Sequence, residues 1–173
     1  MPGGLIHEAT VGATVEWYTP SWIFDTLGIR FDLDPASPMQ GPVPWIPADR
    51  FYTERDDGLV QPWEGEVWLN PPYGRLTGPF LARMHAHRQG VALVFSRTDN
   101  SWFHEYIAHA DMILFLQGRI KFIDGSGKIG PSPGAGSLLA AWGSRSVAAL
   151  RSAPIKGTLW EPRFMVPDCL KGV

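Results

Sequence analysis

The chain has 173 residues, 45% of them hydrophobic and 18% charged, a balance too apolar for intrinsic disorder and a length suited to one core. No apolar run approaches the roughly 18 residues of a membrane span, and the opening MPGGLIHEATVG has neither the basic segment nor the apolar stretch of a secretory signal. The expectation is one soluble, cytoplasmic domain over residues 1–173. Fifteen Lys and Arg stand against 17 Asp and Glu, so no global field draws the chain to phosphate backbones, and a nucleic-acid role needs local basic patches. The lone Cys169 excludes an internal disulfide and any site built from several thiolates.

Residues 1–15 show no steady period and read as an N-terminal arm. Thr19 as N-cap, Pro20 at the first helical position and Gly28 at a left-handed exit predict a helix over 20–27. Ile29, Phe31 and Leu33 alternate with polar residues up to Pro35, which predicts a strand over 29–34. Pro38, Pro42, Pro44 and Pro47 forbid a central element before a short extended piece at 50–53. A buried strand over 66–69 is cut by Pro71 and Pro72. A helix opening at Thr77 or Gly78 and closing at Gly90 follows, and then the strand VALVFS. Asn100 or Ser101 caps a helix carrying Trp102, Phe103, Tyr106 and Ile107, which leads to the strand DMILFLQ. RIKFI and SLLAAWG read as two strands joined by a flexible Gly/Pro-rich loop over 124–136. The alternation predicts an α/β fold: a mostly parallel sheet, helices on both faces, and an antiparallel terminal strand pair.

In open α/β sheets ligands bind beyond the carboxyl ends of the strands. Two quartets fall there: Asp34-Pro35-Ala36-Ser37 and Asn70-Pro71-Pro72-Tyr73. The second is the more specific. The Asn70 side-chain oxygen and the Pro71 carbonyl are acceptors, neither proline offers a competing N–H, and Tyr73 adds a flat aromatic face. Such a pocket suits a planar amine, whose delocalised lone pair is activated by acceptors on its hydrogens.

These residues resemble the S-adenosylmethionine-dependent amino-methyltransferases, and most closely the phage-type DNA N-6-adenine methyltransferases. The matching stretches are Glu16 to Pro20, Phe31 to Ser37, Asp57-Gly58-Leu59 with Trp63, Val67 to Arg75, and Gly118 to Phe122. The resemblance implies a Rossmann-like fold and transfer of the cofactor's methyl group to adenine N-6 in DNA after base flipping, directly and without a metal. It implies that Asn70, Pro71, Pro72 and Tyr73 are catalytic, with Tyr73 stacking on the adenine. It further implies that Tyr18, Thr19, Pro20, Asp34, Pro35 and Ala36 line the methionine part of the cofactor and that Asp57 meets its adenine amine. Arg75 and Arg119 become candidate DNA contacts, with Arg97 and Lys121 as further cations.

Asp34-Pro35-Ala36-Ser37 departs from the wider pattern by lacking a glycine-rich turn. The residues themselves leave other readings open. Thr19 and Pro20 suit a helix start, Asp32 and Asp34 suit solvated strand ends, Asp57 suits a turn cap, and Asp56 could replace it. Gly125 to Gly136 is no phosphate-binding loop, because Gly127-Lys128 lacks the required spacing. The spacings of His85, His87, His104 and His109 do not favour a metal site, and Trp22, Trp102 and Phe103 read as core. A planar amine of an RNA adenine or a glutamine side chain fits the same quartet, as does a non-catalytic DNA-binding domain of this fold.

Overall fold

Val91 and Leu93 belong to one apolar cluster and Ala92 and Val94 to another, and all four are buried. A strand buried on alternate sides in this way is the centre of a sheet covered on both faces. The structure, a computed structural model, describes residues 17–161; the arm over 1–15, Glu16 and Cys169 lie outside them.

In chain order the elements are β1 (Trp17–Tyr18), α1 (Ser21–Leu27), β2 (Phe31–Asp34), β3 (Ala48–Phe51), β4 (Val67–Leu69), α2 (Thr77–His87) and β5 (Gly90–Phe95). Then come α3 (Ser101–Glu105), a 3-10 turn at Ile107–His109, β6 (Met112–Leu116), β7 (Ile123–Asp124), β8 (Ser137–Trp142), α4 (Ser144–Ser152) and β9 (Gly157–Trp160). Seven strands form one sheet in the order β3-β2-β4-β5-β8-β6-β9. β3, β2, β4 and β5 are mutually parallel, and β6 shares their direction because both β5 and β6 pair antiparallel to β8. β9 pairs antiparallel to β6 at the outer edge.

The mixed α/β architecture follows from packing on the two faces. Leu81 and Met84 of α2, Phe103 of α3 and Ile107 cover one side with Val67, Leu69 and Trp142. Ile23, Phe24 and Leu27 of α1 and Leu150 of α4 cover the other with Trp68, Leu114 and Leu139. Trp68 is fully buried and meets Phe24 edge-on at 4.6 Å between ring centroids.

Several local expectations change. Thr19 caps nothing with its side chain: Pro20 occupies the N-cap position, and Gly28, in the left-handed conformation, donates its N–H to the Phe24 carbonyl. Helix α2 ends at a left-handed Arg88 rather than at Gly90, which begins β5. RIKFI does not pair with SLLAAW. Only Ile123–Asp124 is strand, and it pairs antiparallel with β1 in a separate two-stranded ribbon. The six residues of β8 are all buried and sit inside the sheet between β5 and β6, because a segment without a polar face is costly at an edge. Trp22 is exposed rather than core, whereas Phe103 is core. Among the described residues no helix is long and apolar enough to cross a membrane.

Gly90 joins the two strands that carry the site. Its φ of +139° is costly for other residues, and a Cβ there would collide with the Val67 backbone on β4. Gly90→Ala is expected to lower stability by about 2–4 kcal/mol through forced separation of β4 from β5. Urea unfolding followed by circular dichroism measures it, and a change within error would contradict this packing.

Candidate active site

Strands β2, β4 and β5 are parallel, so the segments after Asp34, Leu69 and Phe95 emerge at one edge of the sheet. Two are stopped by proline, which cannot donate to a ladder. At the end of β4, Asn70 is half-buried, Pro71 is buried, and Pro72 and Tyr73 are exposed. The Asn70 Oδ1 is itself buried and has no hydrogen-bond partner among the described residues. The turn is held from behind by α2. The Thr77 hydroxyl donates to the Pro72 carbonyl at 3.0 Å, and the Thr77 N–H donates to the Gly74 carbonyl at 3.3 Å.

Tyr73 stacks on Phe95, with ring centroids 4.3 Å apart and planes 22° from parallel, yet 44% of the residue stays open. Desolvation pushes its phenol above the usual value and the charge of Arg97 pulls the other way. The phenol is protonated at neutral pH. Beside Tyr73 lies a cleft of about 180 Å³ lined by Tyr73, Thr77, Phe95, Arg97, Asn100 and Trp102. The sequence pattern marks Asn100 only as a helix cap and Trp102 only as core. The cleft that gathers them arises from the packing of α3 beside α2, to which no spacing in the chain points.

The second quartet folds on itself. Asp34 is buried, and its carboxylate accepts from the Ser37 hydroxyl at 2.6 Å and from the Ala36 N–H at 3.2 Å. Burial raises its pKa from 3.8 to about 6 despite those two bonds, which act to lower it. Gly58 explains how Asp57 reaches this turn, because a Cβ at Gly58 would collide with the Pro35 carbonyl. Only glycine lets the two loops touch. Asp57 is exposed, has a φ of 55°, and accepts the Leu59 N–H at 3.2 Å. It therefore caps its turn and also stands beside the Asp34 loop. Asp56 is committed elsewhere, since one of its oxygens takes both the N–H and the hydroxyl of Thr53. Asp32 is structural too and accepts the Glu66 N–H at 2.6 Å.

Thr19 is fully buried with an unpartnered Oγ1, while its carbonyl accepts the Trp45 indole N–H at 2.7 Å. The half-buried Tyr18 ring meets Trp45 edge-on at 6.3 Å, and Pro20 is buried. Arg75 is exposed and makes no hydrogen bond or ion pair among the described residues. Arg119 donates to the Pro133 carbonyl and so ties down the Gly/Pro-rich loop. His85 lies tilted against Tyr106 at 6.0 Å between ring centroids and meets His109 edge-on at 5.9 Å, while His87 pairs with the Gly65 carbonyl at 2.7 Å. Among the described residues no three His, Cys, Asp or Glu side chains gather as metal ligands.

The sequence model of one family, described as DNA N-6-adenine-methyltransferase (Dam), matches residues 10–144. No curated protein and no solved structure matches the chain.

The buried Asp34 makes stability depend on pH. Its carboxyl titrates near 6 in the folded chain and near 3.8 when exposed, so between those values the folded state holds the extra proton and stability falls as pH rises. Asp34→Asn removes the cost of burying the charge. The variant is expected to be more stable than the parent at pH 7.5, by at most about 3 kcal/mol, and equal to it at pH 4. Urea titrations at the two pH values measure this. An equal difference at both would show that the charge at Asp34 is not the cause.

Proposed function

Since the chain belongs to the DNA N-6-adenine-methyltransferase (Dam) family, we propose that it transfers the methyl group of S-adenosylmethionine to the exocyclic N-6 amine of adenine in DNA. Transfer is direct, without a metal, and follows extrusion of the base from its stack. The observation that carries this reading is the buried, unpartnered Asn70 Oδ1 at the end of β4. Leaving such an acceptor unpaired costs about 1–3 kcal/mol, and a ligand N–H would recover it. The Pro71 carbonyl accepts no hydrogen bond among the described residues. Two free acceptors therefore stand in series, and adenine N-6 carries two hydrogens.

Asn70 and the Pro71 carbonyl take those hydrogens and stabilise positive charge as the nitrogen forms its new bond. The nitrogen would form its bond to the methyl carbon as that carbon's bond to the sulfonium sulfur breaks, the electron pair staying on sulfur, and would lose one proton to solvent. Pro72 holds the turn rigid through its carbonyl bond to Thr77. Tyr73, with one face against Phe95, offers a stacking surface that offsets the few kcal/mol spent on flipping the base.

The residues present fit the cofactor. Thr19 has a fully buried hydroxyl without a partner, which a polar ligand atom would satisfy. Asp34 is a buried carboxylate whose ionised form a nearby cation would favour. Tyr18 and Pro20 flank Thr19, Pro35 and Ala36 continue the Asp34 turn, and Asp57 is held beside that turn by Gly58. These seven residues would hold the cofactor, which when bound supplies an electrophilic sulfonium methyl. Arg75 would reach phosphate directly, and Arg119 through the guanidinium donors not spent on Pro133.

Incubation with methyl-labelled cofactor and unmethylated DNA, followed by nucleoside analysis, is expected to yield N6-methyladenine. Parallel RNA and protein pools test an RNA adenine or a glutamine amide as acceptor. Asn70→Ala is expected to lower turnover by roughly 10²- to 10³-fold, with cofactor affinity by calorimetry little changed. Wild-type turnover in that variant would refute the assignment, and label in none of the three pools would favour a domain that binds without transfer.

A further inference from the structure

We infer that Asn100 reads the ring edge of the target base, a role that rests on the reaction proposed above and extends it to the recognition of adenine. The amine pocket leaves this problem unsolved. Cytosine also carries a planar exocyclic amine, so Asn70 and the Pro71 carbonyl cannot by themselves separate the two bases. A further polar group must meet the ring.

Asn100 has the position and the chemistry. It lines the cleft beside Tyr73 together with Trp102. It occupies the N-cap of α3, with φ −81° and ψ 146°, the backbone setting in which an Asn side chain ordinarily accepts a hydrogen bond from the first helical turn. Here it makes no such bond. The Phe103 N–H goes to the Asn100 backbone carbonyl instead, at 3.1 Å, and the carboxamide has no partner among the described residues. A half-buried side chain that gives up its local bond in a cleft is available to a ligand.

The ring supplies the complementary group. With the two amine hydrogens bound by Asn70 and Pro71, adenine presents N1 on one side of the amine and N7 on the other, whereas cytosine has an equivalent acceptor, N3, on the first side and only a C–H on the second. Asn100 therefore separates the bases through N7, an acceptor that an N–H of its carboxamide meets. Because Phe95 covers one face of Tyr73, a base entering the cleft stacks on the other, within the space that Asn100 and Trp102 also bound.

Fluorescence anisotropy with a short thymidine oligonucleotide carrying one central adenine, 1-deazaadenine or 7-deazaadenine tests the inference. The wild-type chain is expected to bind the adenine oligonucleotide roughly five- to tenfold more tightly than the 7-deazaadenine oligonucleotide. Asn100→Ala removes the donor with the side chain, and Asn100→Asp removes it while keeping the shape. Both are expected to lose that preference with an unchanged melting temperature, since no cap bond is broken. Asn70→Ala is expected to bind more weakly overall yet keep the preference. A wild-type chain indifferent to 7-deazaadenine, or Asn100 variants that retain the preference, would overturn the inference. The readout is binding, so failure of methyl transfer in the wild-type chain would count against the reaction and not against Asn100.

Discussion

Two consecutive prolines after Asn70 govern the edge of the sheet that carries the candidate site. A parallel strand normally continues its ladder until the chain turns away, and its last side chains pack against neighbours. Pro71 and Pro72 have no N–H to offer, so β4 stops at Leu69 while β5 beside it runs on to Phe95. The difference in length leaves a step at the edge of the sheet. Asn70 stands in that step with a buried oxygen that no strand can reach, and Tyr73 folds back against the longer strand at Phe95. The proposed amine acceptor and the proposed aromatic platform thus share one cause.

The groups around this edge run against folding rules observed elsewhere in the chain. Thr19 and Asn70 carry buried oxygens without partners, and Asp34 is buried at the cost of a raised pKa. Core positions such as Leu81, Leu93 and Leu139 show no comparable penalty. Costs of this kind gather where a ligand is to supply the missing partner, and a sequence tolerates them when the rest of the fold agrees with itself. Trp68, Trp142 and His85 also have unpartnered ring nitrogens and Ser137 an unpartnered hydroxyl, and for these the structure offers no such reason.

Much of this was legible in the chain because the signals were local. The period of two ending at Pro35, the run closed by Pro71-Pro72 and the Gly28 exit each specify an element through neighbouring residues alone. The family match over 10–144 bears out the resemblance carried by those motifs. What stayed hidden was relational. Six apolar residues from Ser137 to Trp142 announce burial but not that β8 enters between β5 and β6. The contact of Gly58 with the Pro35 carbonyl spans 23 residues and is written as an ordinary glycine. Ser144–Ser152 and Gly157–Trp160 gave no reading at all: α4 buries only Ser146, Ala149 and Leu150, and β9 buries nothing.

The placement of β8 carries a consequence for the site. A strand antiparallel to β5, paired so that Ser137 faces Phe95, begins at the edge where β5 and β6 end. The connection from Leu116 to Ser137 therefore leaves and returns at the active edge. Its middle is anchored rather than loose: β7 pairs with β1, Trp17 lies against Gly130, and Asp124 accepts the N–H groups of Ser126 and Lys128. β1 leads directly into Thr19 and Pro20, so a displacement of this connection would be felt at the buried Thr19 hydroxyl. The antiparallel insertion thus couples the Arg119- and Lys121-bearing connection, through a two-stranded ribbon, to the residues proposed to hold the cofactor.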